Sequence, residues 1–97
     1  MFDQMKAVLK ARAVQNELKK TEIDAASRED LVKVTVTGEL KLKEIHLADA
    51  IVDVNRKAEL ERLIQTTVAE ALARAQQIAA EKTREAMKDM GVNIPGL

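Results

Sequence analysis

Apolar and polar positions alternate with a period of two between residues 31 and 47. In Val32-Lys33-Val34-Thr35-Val36-Thr37 the valines fall on one face while Lys33, Thr35 and Thr37 fall on the other. With β-branched residues throughout, that is the pattern of a half-buried strand. Gly38 supplies a residue able to take positive φ, and a second alternating run, Leu40 to Leu47, follows at once. The pattern predicts a β-hairpin over 31–47. In its second arm the apolar phase slips, because Leu40 and Leu42 share one face whereas Ile45 and Leu47 take the other. One extra residue near Lys43 and Glu44, a β-bulge, restores a single apolar face. A two-stranded hairpin is marginal in water, so it requires a third strand, a helix or a partner chain.

Both flanks follow a helical period. Residues 2–20 contain no Gly or Pro and are rich in Lys, Ala, Leu, Met, Gln and Glu, all good helix formers. Two apolar stripes run along this predicted helix: Phe2, Met5, Leu9 and Ala13 on one side, Ala7, Ala11, Val14 and Leu18 on the other. A helix that covers only its own sheet needs one stripe, so two stripes point to two packing partners. Thr21 to Ser27 reads either as an edge strand over 22–26, anchored by Ile23, or as a plain loop. After Leu47, Ile51 and Val52 tuck a connecting turn onto the core. Asp53 and Asn55 compete as the N-cap of a second helix. That helix is predicted over 54–90, a stretch without Gly or Pro whose stripe is Leu60, Leu63, Ile64, Thr67, Ala71, Ala75 and Ile78. Gly91 and then Pro95 supply the expected cap and stop, leaving residues 91–97 as a C-terminal tail. About 35 helical residues span ~50 Å, whereas a compact chain of this size has a radius of gyration near ~13 Å. The distal half of the helix must therefore project or pair. An i,i+4 ion pair, Glu70 with Arg74, adds only a few tenths of a kcal/mol.

Composition sharpens this picture. The 97 residues make one domain, with 46% hydrophobic residues but a single aromatic, Phe2. Aromatic rings normally give small cores much of their buried area, so a stable monomer is not expected and a homodimer is. There are no cysteines, which removes disulfides, zinc–thiolate sites and thiol nucleophiles and suits a cytoplasmic protein. No run of apolar residues is long enough to span a membrane, and the first residues lack the order of a signal peptide. Sixteen basic and sixteen acidic side chains balance overall, yet residues 1–20 hold five basic against two acidic, and residues 21–30 four acidic against one basic. A protein that holds nucleic acid electrostatically usually has an overall basic excess; here the excess is local.

Candidate chemistry is sparse. His46, the only histidine, lies on a predicted strand between two apolar residues, with no identifiable partner for a triad or metal site. Glu81 and Glu85 are one turn apart among Lys82, Arg84 and Lys88, which reads as a solvated charged face. Three scattered glycines make no phosphate-cradling loop. The chain is expected to be no enzyme and to need no cofactor, metal or small-molecule substrate.

Taken in order, Val32-Lys33-Val34-Thr35-Val36-Thr37-Gly38, Lys43-Glu44-Ile45-His46-Leu47, Asp53, Leu60-Glu61-Arg62-Leu63-Ile64, Ala71-Leu72 and Pro95-Gly96-Leu97 resemble the YbaB/EbfC family of bacterial nucleoid-associated proteins. The resemblance covers nearly the whole chain. It implies an α+β fold (helix, three-stranded antiparallel sheet, long helix) that dimerises into a tweezer-like homodimer. It also implies double-stranded DNA as partner, bound with little sequence preference in the nucleoid. Two departures stand out: the Gly-rich segment before the Val-Lys-Val-Thr-Val strand is here Ala25 to Asp30 without glycine, and the Asn often found in the long helix is Ala69. On this reading Lys6, Lys10, Arg12, Lys19 and Lys20 of the first helix, doubled by symmetry, contact phosphates and release counterions. Arg62, Arg74 and Lys82 of the long helix line the same cleft. Such contacts position a protein without reading bases. The alternative is a dimeric interaction module whose helical arms grip another protein, with DNA contact incidental.

Overall fold

A computed structural model describes residues 2–91, and for residues 2 and 3 the backbone alone. The Pro95 stop, the Pro95-Gly96-Leu97 part of the resemblance and the place of the Phe2 side chain lie outside the described residues. Helix α1 (Phe2–Lys20) leads into strand β1 (Glu22–Ala26), β2 (Val32–Thr37) and β3 (Leu42–Leu47), and a long helix α2 (Lys57–Asp89) follows. The strands form one antiparallel sheet in the order β1-β2-β3. The stretch that reads equally as edge strand or loop is thus a strand, and the hairpin obtains the third member it needs.

Facing pairs of an antiparallel sheet share a side, and Ile23 opposite Val36, Ala25 opposite Val34, and Val34 opposite Ile45 set the apolar one. Between Thr35 opposite Glu44 and Val36 opposite Leu42 the register shifts, leaving Lys43 as the extra residue. This is the bulge that the apolar phase predicts, and it returns Leu42 to the face of Ile45 and Leu47. Helix α2 lies across that face over β1 and β2. Its stripe packs as the spacing predicts, with Ala71 and Ala75 fully buried beneath Leu60, Leu63, Ile64, Leu72 and Ile78. Alanines there let helix and sheet approach closely. Of β3, only Leu47 packs against this core; Leu42 and Ile45 stay 52% and 40% exposed.

The first turn of the predicted second helix is 3-10 over Val54–Arg56, and α2 proper starts at Lys57. Asp53 rather than Asn55 is the cap: its carboxylate Oδ1 accepts the Asn55 amide at 2.8 Å. Behind that turn, Glu59 accepts hydrogen bonds from Arg56 and Arg28, tying the β1–β2 turn to the start of α2. The Arg56 hydrogen bond, with Arg28 beside it, holds the Glu59 carboxyl down to about 2 against its ordinary 4.5.

Turn chemistry departs from the expectation at Gly38. Positive φ in this loop falls on Leu40 (φ 68), not on Gly38. The loop is a three-residue connection in which Leu40 N donates to Thr37 O and Thr37 N donates to Lys41 O, the geometry that puts its last residue in the left-handed region. Gly38 is needed for closeness instead. Its amide donates to Leu18 O and Thr21 O, both at 3.0 Å, and an added Cβ would lie 2.8 Å from Leu18 O. The end of α1 is thereby seated on the hairpin. Gly38→Ala is expected to lower stability by about 2 kcal/mol through that overpacking, a drop of roughly 10 °C in the unfolding midpoint. Thermal unfolding at matched protein concentration checks this. In the β1–β2 turn, where no glycine is available, Glu29 (φ 56) and Asp30 (φ 54) take the left-handed conformation.

Helix α1 packs one stripe on the distal half of α2, with Ala7, Val14 and Leu18 half-buried. The other stripe is uncovered, Met5 and Leu9 being 68% and 64% exposed. The described chain measures 62 × 25 × 16 Å with a radius of gyration of 17.9 Å, well above the ~13 Å of a compact chain. The excess is the α1–α2 arm standing away from the sheet.

Candidate nucleic-acid interface

Helical periodicity spreads the basic residues of α1 around its axis, and packing against α2 then sorts them. Lys6, Arg12, Lys19 and Lys20 are all exposed and make no ion pair among the described residues. Arg12 and Lys19 are seven residues apart, two turns, and so lie on one solvent face about 10 Å apart. Lys19 and Lys20 form the last turn of α1, where positive charge offsets the carbonyl end of the helix. Arg62, exposed on the proximal half of α2, also has no ion pair among the described residues.

The other three candidates act as braces. Lys10 Nζ lies 3.3 Å from Asp89 Oδ2, and Lys82 Nζ lies 2.5 Å from Glu17 Oε1. These two pairs fix α1 and α2 antiparallel along the arm. The hydrogen bond to Glu17 raises the Lys82 pKa above that of a free lysine. Arg74 donates to Glu70 Oε1 at 2.6 Å, the expected i,i+4 pair, and also to Asp24 O at 2.9 Å on β1. Among the described residues the eight candidates therefore divide into five without an ion pair and three already engaged.

One cation had no signal in the periodicity. Lys41 closes the β2–β3 turn, and the Gly38 bonds to Leu18 and Thr21 hold that turn against the end of α1. Lys41 itself is exposed.

The polar side of the sheet holds an open hollow of about 680 Å³ lined by Asp24, Lys33, Thr35, Glu44, His46 and Arg74. Thr35 Oγ1 donates to Asp24 Oδ1 at 2.7 Å, while His46 is exposed and makes no hydrogen bond among the described residues. Cations and carboxylates alternate here without converging on one point, and no group of three His, Asp or Glu side chains among the described residues could hold a metal. No described helix is long and apolar enough to cross a membrane.

Comparison with known proteins identifies the relatives of the whole chain. Residues 1–90 match the model of the YbaB/EbfC DNA-binding family. A nucleoid-associated protein of Nitrobacter winogradskyi is 32% identical over 88 residues, covering 91% of this chain and 82% of its own. One from Acetivibrio thermocellus is 33% identical over 84 residues, covering 87% and 74%. Among solved structures, an uncharacterized Helicobacter pylori protein superposes with a TM-score of 0.67 at 15% identity, covering 82% of this chain and 90% of that one; at that identity the likeness concerns the fold. The order of helix, three strands and braced helical arm, together with a sequence match from the first residue to the end of α2, makes this chain a member of the YbaB/EbfC DNA-binding family.

Proposed function

We propose that the chain is a nucleoid-associated DNA-binding protein that works as a homodimer, holding duplex phosphates with little preference for sequence. The observation that carries this reading is the sorting of charge. In a chain with no net charge, Arg12, Lys19 and Lys20 on α1 remain exposed and make no ion pair among the described residues. Flexible cations on a helix exterior suit phosphates, which carry no sequence information.

Dimer formation is supported by β3. Its apolar side continues the Val32, Val34, Val36 surface of β2, yet α2 leaves Leu42 and Ile45 uncovered. An exposed strand edge with an apolar face is a template for pairing with another chain. A second copy joined there would cover both residues and set two α1–α2 arms on either side of a shared sheet. That places two sets of unpaired cations on one assembly.

The exposed Met5, Val8 and Leu9 on α1 favour the second reading, an arm that grips another protein. A gel-shift titration of linear duplex at low and moderate salt separates the two. The DNA reading expects a shift at micromolar dimer in low salt, weakening steeply as salt rises. Absence of any shift in low salt overturns it and leaves the protein-binding reading standing.

A further inference from the structure

Two exposed apolar patches of opposite charge stand at opposite ends of the chain. On α1, Met5, Val8 and Leu9 occupy positions i, i+3 and i+4 and so share one face. Lys6 and Arg12 flank them, both exposed and without an ion pair among the described residues; residues 4–13 contain no carboxylate at all. The second patch is the loop between β3 and α2. There Ile51 is buried, but Val52 and Val54 are 62% and 89% exposed. Asp53 between them is extended (φ -145, ψ 127), so the two valines project to one side. Asp49 and Asp53 are exposed beside them and make no ion pair among the described residues, and residues 48–55 contain no cation. Arg56, next in the chain, is turned onto Glu59. We propose that the basic apolar face of α1 takes the acidic apolar loop 48–55 of another copy of this chain, head to tail.

Geometry and charge both require a second molecule. Lys10 of α1 lies beside Asp89 at the far end of α2, whereas the loop feeds the near end. The 33 residues of α2 put about 50 Å between the two patches, so one chain's patches cannot meet. A symmetric contact of α1 with α1 would set Lys6 and Arg12 against cations, and loop against loop would set Asp49 and Asp53 against carboxylates. Such like-charge pairing is penalised, so the contact joins unlike patches. A joined pair then keeps one unused α1 face and one unused loop, and further copies can add. Three apolar side chains meeting two make a small interface, at the low end of the range for specific contacts, with a Kd on the order of 0.1–1 mM. Copies held side by side on one duplex would meet at millimolar effective concentration, where such a contact operates. The contact itself does not rest on the DNA reading or on pairing through β3.

Sedimentation of the full-length protein from 10 µM to 2 mM, in low salt and without DNA (which competes for Arg12), tests this. The weight-average mass is expected to keep rising at least twofold beyond its micromolar value, and to fall back on dilution. A mass that stays constant to 2 mM overturns the proposal, whether the micromolar value is that of one chain or two. Leu9→Glu and Val54→Lys, each at an exposed position, are each expected to abolish the rise. Mixed in equal amounts they should restore it, because each supplies the patch that the other lacks; restoration also shows that both variants are folded. A rise that survives either substitution, or a failure of the mixture when both variants keep the wild-type circular dichroism spectrum, counts against head-to-tail contact.

Discussion

Reversing the charge of Arg12 and Lys19 together, Arg12→Glu with Lys19→Glu, is expected to weaken duplex binding about a thousandfold in low salt. Both side chains are exposed and lie two turns apart on one face of α1. In a dimer the double change removes four phosphate contacts. At about 1 kcal/mol per charge–charge contact in water, the loss is about 4 kcal/mol, or three decades of affinity. The dependence on salt should flatten in step, because each contact contributes about −0.9 to the slope of log K against log salt. Four lost contacts therefore shallow the slope by between about 3 and 4. Neither side chain makes an ion pair among the described residues, so the circular dichroism spectrum should be unchanged and stability should fall by only a few tenths of a kcal/mol through the charge at the helix end. Binding measured by fluorescence anisotropy across a salt series checks both quantities. Wild-type affinity in the double variant would assign the DNA surface elsewhere. Lys10→Glu and Lys82→Glu are less clean, since each also breaks a brace to Asp89 or Glu17.

Ile45→Asp has the second large expected effect. Ile45 faces the apolar side of the sheet but is 40% exposed, and the α2 stripe packs on the neighbouring strands instead. A carboxylate there costs the isolated chain little, because it remains in contact with water. Covered by a second copy, the same carboxylate would be buried without a partner, at a penalty of several kcal/mol. The variant is expected to sediment as a single chain. Joining two binding units raises overall affinity by about 10² to 10⁴, so its hold on duplex should fall by at least a hundredfold even though every cation is intact. Sedimentation and anisotropy on one sample measure both. A variant that stays dimeric with full affinity would place the dimer contact away from β3.

The sequence made much of this architecture legible because its two periods are clean. Val32, Val34 and Val36 mark the sheet, and the stripe from Leu60 through Ala71 and Ala75 to Ile78 marks the helix that covers it. The phase slip between Leu42 and Ile45 located the bulge at Lys43. What escaped was what depends on contacts between distant residues. Gly38 reads as a flexible turn residue, yet it is small because Leu18 O lies against it, and the left-handed position passes to Leu40. Residue type and helix membership alone ranked Lys10 and Lys82 with Arg12 and Lys19. Nothing local tells a lysine that Asp89, 79 residues away in the chain, will face it once two helices lie antiparallel. The seating of the hairpin turn against the end of α1 was hidden for the same reason. Uncovered side chains on β3 are legible only as a surplus: the strand has more apolar face than one long helix can cover.

That surplus is where the account is most exposed to a single measurement. Multi-angle light scattering of the wild-type protein at micromolar concentration should return twice the 10.7 kDa of one chain, with β3 covered and two arms facing a shared duplex. A mass of 10.7 kDa would mean that Leu42 and Ile45 stay open to water, and that the paired arms on which the DNA reading depends do not form.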